Sequence, residues 1–436
     1  MKFFKIVFLL LLAINAFSQE QDSTSIYKKR VLESTEIDFL FSYYKQDGIH
    51  SAVSGGKGTE QLTDITPTII VSIPINEDDV LTVDAGISAY TSASSSNINP
   101  FDSNLPNPWQ SSSGASAQDA LTTLVLNYSH SSDDRNTIIN GHISGSIEYD
   151  YSSIGFGGGI SKLFNDKNSE ISLATNIYLD KWNPIYPKEL TDFKDYGLSG
   201  GFFSNFTVTP SLSNYNPINF TTHTTKNRNS FSLSLTFSQV LTQKIQFSLF
   251  TDILYQTGLL STPYQRVYFA DKNDFFINNF HLADDIERLP NTRFKLPIGT
   301  RWNFYLNEKF VLRTYYRYYF DNWNINSHTL TIELPYKITD RFTLTPMYRY
   351  YNQKKSKYFA PYENHISTQE FYTSDYDLSS FNAHQYGIGV GYTDIFTSAK
   401  IWKFGIKNIE LRYNNYNRND GLKSNIISFA IKFVEQ

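Results

Sequence analysis

The hydrophobic pattern of the chain is clearest in Phe310–Phe320, which reads FVLRTYYRYYF. Successive side chains of an extended strand point to opposite faces. Arg313 and Arg317 therefore lie on one face, whereas Tyr316 and Phe320 lie on the other. The pattern predicts a strand with one charged face and one aromatic face.

The segment before it, 292–306, repeats this design, with Arg293 and Arg301 on one face and Trp302 and Phe304 on the other. The short connection between the two segments predicts a β-hairpin with a tight turn. Such a hairpin fits a soluble sandwich with one wet face. It fits equally a barrel whose outer face contacts lipid and whose interior holds water.

Alternation of this type recurs in about 16 segments, each near the ~9–11 residues that cross a bilayer at a tilt. We predict strands at 35–45, 62–74, 80–91, 118–130, 136–150, 153–164, 170–181, 229–241, 244–257, 292–306, 309–320, 325–337, 342–352, 382–393, 406–417 and 423–435.

The connections between these segments alternate in length. One set is turn-like, at 76–79, 131–135, 165–168, 241–244, 307–309 and 339–341, whereas the other contains long polar stretches at 46–61, 92–117, 182–228, 258–291 and 353–381. Outer-membrane barrels have short periplasmic turns and longer extracellular loops. The alternation thus predicts an all-β fold, a transmembrane antiparallel up-and-down β-barrel of about 16 strands (range about 14–18), over residues 34–436. The connection 394–405 is long for a turn, and we expect a bulged strand extension near Asn408.

Composition agrees with one apolar face per strand. Hydrophobic residues make up 40% of the chain, with 31 Tyr and 34 Phe, whereas globular domains contain ~45–50%. The net charge of −4 argues against a nucleic-acid partner. The absence of cysteine excludes disulfides, metal thiolates and a thiol nucleophile.

The N-terminus has the features of a secretory signal peptide. Two lysines precede the apolar run Ile6–Ile14, and Ala16 and Ser18 stand at the spacing of a cleavage site. We predict a signal peptide at 1–18 and a short periplasmic segment at 19–33, which is too short to form a plug domain. The mature protein is expected in the cell outer membrane, in contact with its lipid.

The last strand, SNIISFAIKFVEQ, is similar to the C-terminal strand of Gram-negative outer-membrane proteins. That resemblance implies recognition by the barrel-assembly machinery during biogenesis. The sequence departs from the usual pattern, because no glycine precedes the aromatic residues and Val434–Gln436 follow the final phenylalanine.

The opening VLESTEIDFLFSYYKQDG (Val31–Gly48) and the loop SAVSGGKGTEQLTDITP (Ser51–Pro67) resemble a family of uncharacterised Bacteroidetes outer-membrane β-barrels, a domain of unknown function. The resemblance spans essentially the whole mature chain. Genes of that family often neighbour those for a periplasmic flavin transferase and a thioredoxin-like protein. The resemblance therefore implies a link to redox biology, but it assigns no chemistry to any residue.

If the aromatic faces point outward, the inward charges separate by position in the chain. The early strands supply an acidic wall of Glu36, Asp38, Asp64, Asp84, Glu148, Asp150 and Asp252. The later strands supply a basic wall of Arg293, Lys295, Arg301, Arg313, Arg317, Arg349, Arg412 and Lys432, with Glu333 and Glu410 as exceptions. The walls would meet between strands 16 and 1 and between strands 9 and 10. The two opposed walls could create an electric field across the interior that selects polar solutes. Alternatively, their charges could form ion pairs with each other and only make the interior polar enough to hold water.

The sequence gives only weak evidence for a catalytic or metal-binding group. His142, Ser144 and Glu148 share one strand face, but neighbouring side chains on a face lie ~6.5–7 Å apart, beyond the reach of a nucleophile–base hydrogen bond. His281 with Asp284–Asp285 could bind a metal ion, although such loops often arise by chance. We expect no enzymatic activity, no cofactor and no metal.

The sequence favours a porin-like passive channel for small polar or charged solutes. The alternative is a non-conducting barrel that anchors or displays partners in an envelope complex, possibly linked to redox chemistry, with a periplasmic partner of unknown identity. An outer-membrane hydrolase is a distant third. Aromatic and amide residues in the long loops predict loop–loop packing.

Overall fold

The computed structural model describes residues 29–92, 118–205, 208–210, 215–217, 219–277 and 279–436. The predicted signal peptide lies outside the described residues. Sixteen long strands form the barrel: β1 (Glu36–Asp47), β2 (Leu62–Pro74), β3 (Asp79–Ser92), β4 (Gln118–Ser131), β5 (Thr137–Ile147), β6 (Tyr151–Phe164), β7 (Ser169–Trp182), β8 (Asn227–Thr242), β9 (Ile245–Gly258), β10 (Thr292–Tyr305), β11 (Val311–Asp321), β12 (Asn326–Glu333), β13 (Phe342–Lys354), β14 (Phe381–Thr393), β15 (Phe404–Arg418) and β16 (Lys423–Glu435).

The sheet is closed and antiparallel throughout. Each strand pairs with its neighbours in sequence, and β1 pairs with β16 from Glu36 opposite Val434 to Asp47 opposite Lys423. Closure leaves no free sheet edge. The predicted barrel class and strand number are therefore confirmed.

The predicted strand ends agree with the structure to within three residues, with one interruption. Strand β12 stops at Glu333 and resumes only at Tyr336–Lys337, because Pro335 between them has no N–H for the ladder. The bulge expected near Asn408 is present, as a register shift between Ile406 and Asn408 in the pairing of β15 with β16.

The outer surface of the barrel is apolar and exposed. On β5, for example, Ile139, Ile143 and Ile147 are each more than half exposed, whereas His142 and Ser144 between them are less so. An exposed apolar band on a closed barrel is the surface that contacts lipid. Among the described residues, the helices are too short or too polar to cross a membrane.

Outward-facing rings on β11–β14 contact each other through their polar atoms. Tyr316 Oη lies 2.8 Å from His328 Nδ1, and Tyr348 Oη lies 2.9 Å from His384 Nδ1. The two tyrosines stand midway along β11 and β13, whereas the two histidines stand near the loop ends of β12 and β14.

The two ends of the barrel differ. The turn end carries the connections 75–78, 132–136, 165–168, 243–244, 306–310, 334–341 and 394–403. The loop end carries the five longest connections together with three short ones, at 148–150, 322–325 and 419–422. The longest turn is ordered by Asp394, which accepts hydrogen bonds from the backbone N–H groups of Phe396 (3.2 Å) and Ser398 (3.0 Å). Lys400–Ile401 then pairs with the start of β15, so 394–405 is partly a turn and partly a strand extension.

Four connections at the loop end fold together into what we call the roof: loop A (48–61), loop B (183–226), loop C (259–291) and loop D (355–380). Loop B contains the helix α1 (Lys188–Tyr196). Residues from loops B and C form two buried apolar clusters, which include Phe203, Leu190 and Ile286. Val53 of loop A packs with Tyr264 of loop C. The predicted loop–loop packing is confirmed. Most of the buried apolar residues among those described lie in the four loops of the roof.

Candidate solute site in the barrel interior

The roof crosses the mouth of the barrel. Loop A follows β1 and loop C follows β9, which lie half a circle apart in a ring of sixteen strands. Loop A nevertheless reaches loop C, since Arg266 Nη1 donates to the carbonyl oxygen of Val53 at 3.2 Å. It also reaches loop D, where the rings of His50 and Tyr376 stack at 3.7 Å.

Two glycines in loop A permit this approach. Gly55 has φ +71°, and a Cβ there would lie 2.7 Å from the ring of Tyr268. Gly56 has φ +93°, and a Cβ there would lie 2.9 Å from the carbonyl oxygen of Ser374. Any other residue would strain the backbone and collide with loops C and D.

A fully buried ion pair lies inside the roof. Arg266 of loop C donates through Nε to Glu189 Oε1 at 2.6 Å and through Nη2 to Oε2 at 3.0 Å. Both side chains are 0% exposed. A bidentate pair of this geometry fixes α1 against loop C, because neither charge can stay buried without the other.

Below the roof, on β10–β13, lies a cavity of about 630 Å³ that we call the arginine cavity. Its charged lining consists of four arginines and one carboxylate, a net of three positive charges: Arg301, Arg313, Arg317, Arg349 and Glu333. Thr329, Thr331, Tyr315 and Asn303 complete most of the wall. Four members of the predicted basic wall thus come together at one place.

The positive charge of the arginine cavity is poorly compensated. Arg313 Nη1 is 3.9 Å from Glu333 Oε2, and Glu333 also faces Arg412 at 3.5 Å. Among the described residues, no carboxylate lies within ion-pair distance of Arg301, Arg317 or Arg349. Arg349 instead donates through Nε to the hydroxyl of Thr331 at 2.9 Å.

Two polar atoms of this wall have no hydrogen-bond partner among the residues that the structure describes. They are the buried Nε of Arg317 and the buried hydroxyl of Thr329, which stand opposite each other in the β11–β12 ladder. Alongside them, the rings of Phe250 and Tyr315 stack at 5.5 Å, and Arg301 lies 5.9 Å from the centre of the Tyr315 ring. The wall therefore offers guanidinium groups beside a flat aromatic surface.

A second cavity of about 580 Å³ lies on the opposite side, under the roof, and we call it the acidic–aromatic cavity. Three members of the predicted acidic wall line it: Asp64, Glu148 and Asp150. Five aromatic residues surround them: Tyr44, Tyr90, Tyr151, Trp182 and, from loop C, Tyr264. Leu62, Leu121 and Arg228 complete the lining.

A third, smaller cavity of about 150 Å³ lies between the roof and the wall. Cations of the wall there face carboxylates of loops C and D: Arg228, Arg293 and Lys295 on one side, and Glu287, Asp375 and Asp377 on the other. Because Arg228 also lines the acidic–aromatic cavity, the two spaces adjoin.

The buried carboxylates of the roof have unusual acidity. Burial raises the pKa of Glu287 to about 8, and the neighbouring Asp375 adds to the effect. Burial, together with the charge of Asp377, raises the pKa of Asp375 to about 7. These groups bind protons at a pH where exposed carboxyls are ionised.

The remaining wall residues form ion pairs or lie outside the cavities. At the β16–β1 junction, Lys432 Nζ is 2.9 Å from Glu36 and 3.2 Å from Asp38. Arg293 binds Asp321 at 2.5 Å, and Arg412 contacts Glu410. Asp84 and Asp252 line none of the three cavities. The structure thus brings opposite charges together at the first predicted junction, where strands 16 and 1 meet. At the second predicted junction, where strands 9 and 10 meet, Asp252 forms no ion pair among the described residues.

Sequence reasoning missed four residues of the interior and the roof. Arg228 was left in a loop, although β8 begins at Asn227. Lys407, which contacts Glu36 at 2.9 Å, stands at the bulge where alternation fails. The ion pair of Glu189 and Arg266 joins loops B and C, which have no hydrophobic periodicity. Only the many aromatic residues of these loops indicated that they fold.

The weak enzymatic candidates are not assembled into a catalytic group. Glu148 accepts a hydrogen bond from Tyr90 rather than from His142. His281 is not grouped with Asp284–Asp285. Its side chain lies near Asp274 (3.6 Å) and Glu363 (3.5 Å) instead.

The chain was compared with known families and structures. A family model described as "Protein of unknown function (DUF3570)" matches residues 9–424. The chain belongs to this family. The expected resemblance to a domain of unknown function is confirmed on this point. None of the curated proteins matches the chain.

Several solved structures share the barrel shape at very low sequence identity. A bacterial polysaccharide outer membrane secretin has 10% identity and a TM-score of 0.46, covering 93% of this chain and 100% of its own. The outer membrane protein OpdK from Pseudomonas aeruginosa has 7% identity and a TM-score of 0.37, covering 92% and 99%. A BenF-like porin from Pseudomonas fluorescens Pf-5 has 7% identity and a TM-score of 0.40, with the same coverage.

Proposed function

We propose that the protein is an outer-membrane channel through which small anionic solutes pass, with the arginine cavity as its selective site. The observation that carries this proposal is the net of three positive charges on one wall of the barrel interior. Guanidinium groups bind carboxylate and phosphate oxygens in a planar, bidentate geometry. The exposed apolar band supports the outer membrane as the location, with the turn end in the periplasm and the roof outside.

The roof limits which solutes enter. Because loops A and C meet across the mouth, large solutes are excluded, and entry runs through the narrow space between the roof and the wall. Arg293 and Lys295 line that space, and Arg301 follows on the same strand. Carboxylates of the roof face these cations, so the net positive charge on the route of an anion begins at the arginine cavity.

Ion selectivity in planar bilayers tests the proposal. The wild type should pass anions in preference to cations, and an Arg317→Gln/Arg349→Gln variant should lose most of this preference. One unit charge at ~7 Å in water contributes about 0.6 kcal/mol, or roughly a threefold change in the permeability ratio per arginine. The matched control is Arg135→Gln, which removes an arginine that contacts Asp78 in a turn. An unchanged ratio in the double variant, or an equal change in the control, contradicts the proposal.

A non-conducting barrel that anchors a periplasmic partner is the second candidate. The turn 394–403 favours it, because Ile395, Phe396 and Trp402 are each more than four-fifths exposed at the turn end. Exposed apolar patches of this kind mark interaction sites. Absence of any conductance, together with a periplasmic protein that co-purifies with the wild type but not with a Phe396→Ser/Trp402→Ser variant, would favour this function over the channel.

A further inference from the structure

The acidic–aromatic cavity has a chemistry opposite to that of the arginine cavity, and the channel proposal does not use it. Its volume of about 580 Å³ falls within the ~300–1,000 Å³ of small-molecule sites. Tyr264 of the roof covers it and is only 8% exposed. The Tyr264 and Trp182 rings meet edge to face at 6.2 Å. The roof therefore bounds one side of the cavity, which is otherwise open to the barrel interior.

Each of the three carboxylates of this cavity accepts a hydrogen bond from a neutral donor. Asp150 accepts from Trp182 Nε1 at 3.0 Å, Glu148 accepts from Tyr90, and Asp64 accepts from the hydroxyl of Ser88 at 2.7 Å. Among the described residues, no lysine or arginine lies within ion-pair distance of any of the three. Burial raises the pKa of both Glu148 and Asp150, and the charge of the neighbouring Asp119 adds to the effect, although Arg228 also lines the cavity.

The arrangement favours an organic cation over a metal ion. A divalent metal needs several oxygens that converge on one point. In the described part of the chain, the only group of three side chains close enough for that is Asp274, His281 and Glu363, far along the sequence from this cavity. The acids around the cavity are spread over its wall, beside the faces of Tyr and Trp rings. Such rings attract ammonium groups within about 6 Å, most strongly where water is excluded.

We propose that the acidic–aromatic cavity binds a small organic ammonium ion, whose charge is shared between the three carboxylates and the aromatic rings. The alkyl part of the ligand packs against Leu62 and Leu121. This site lies on different strands from the arginine cavity and stands independently of the channel proposal.

Isothermal titration of the purified full-length barrel in detergent micelles tests the site. The probes are choline, its uncharged isostere 3,3-dimethylbutan-1-ol, and glucose. Choline should bind, whereas the isostere and glucose should not, because neither carries a charge for Asp64, Glu148 and Asp150. Equal binding of the isostere or of glucose overturns the proposal, and so does the absence of choline binding at millimolar concentration.

Matched variants locate the binding. Glu148→Gln and Asp64→Asn should each weaken choline binding roughly tenfold. Asp84→Asn is the control, because Asp84 stands on the adjacent strand β3 and does not line the cavity. A Trp182→Leu variant gives an independent reading if a carboxylate variant fails to fold. Equal affinities of Asp64→Asn and Asp84→Asn would place the binding elsewhere and overturn the assignment.

Discussion

Replacing Glu189 with glutamine should open the roof without unfolding the barrel. The change leaves the guanidinium of Arg266 fully buried and without its counter-charge. Breaking such a pair costs about 3–5 kcal/mol, which corresponds to roughly a hundred- to several-thousand-fold increase in the open population. Both residues lie in loops, whereas the sixteen strands are held by their own ladder. The effect should therefore stay within the roof.

Amide hydrogen exchange measures this opening by segment. In the Glu189→Gln variant, exchange should accelerate in α1 and in residues 262–289, while the amides of β11 and β16 keep wild-type protection. Lys188→Gln is the matched control on the same helix. It breaks an ion pair with Asp192 in which Lys188 is nearly half exposed, and exposed pairs contribute at most about 1 kcal/mol.

A double replacement separates charge from shape. Glu189→Leu/Arg266→Met removes both charges with apolar side chains of similar length, and it should restore most of the protection, because the desolvation cost of the charges also disappears. Wild-type exchange in Glu189→Gln would refute the reasoning. So would a loss of protection that spreads through the barrel strands, since the roof would then not be a separate unit.

Three further outcomes follow from the same contacts. Glu287 and Asp375 keep protons in the folded roof that the unfolded loops release above about pH 4.5, so roof stability should fall as pH rises from about 6.5 to 8, by at most ~1.4 kcal/mol per pH unit for each group. Hydrogen exchange measured against pH tests this. Burial lowers the pKa of His223 and His281 to about 4, and these two histidines oppose the trend only below about pH 6.5. Gly55→Ala should destabilise the contact between loops A and C by about 1–3 kcal/mol, seen as faster proteolysis of loop A; equal rates would contradict it. Lys432→Met should lower barrel stability by about 1 kcal/mol in urea, because Glu36 loses one of two partners, while anion selectivity stays unchanged.

The barrel could be predicted because the same alternation of apolar and polar residues recurs in strand after strand. A period of two residues over every strand fixes which side chains face lipid, as for Tyr316 and Arg317 on β11. The turn–loop alternation then fixes closure and direction. The strand that deviates, β12, does so at Pro335, which the sequence also shows. Local rules therefore account for the fold almost completely.

The roof and the cavities required information that local rules lack. Glu189 and Arg266 stand 77 residues apart in loops of no period, and their contact depends on how loops B and C cross the mouth. The grouping of Arg301 with Arg349 likewise depends on register across three strand pairs. The alternation of side chains along a strand predicts which residues face the interior, but only the strand register fixes their height, the position along the barrel axis.

The positions of the acidic and basic side chains along the barrel axis change the interpretation of the two charged walls. Glu148 and Asp150 lie at the loop end, whereas Arg301 and Arg313 lie towards the turn end, so the separation of charge runs diagonally through the barrel and not straight across it. Where the walls meet at β16 and β1, Lys432 pairs with acids and the charges cancel. Among the described wall residues, Arg301, Arg317 and Arg349 form no ion pair, and they lie away from that junction. Under the proposed channel function, pairing for stability and charge for selection fall on different strands of one barrel, so substitutions in the two regions should have separable effects.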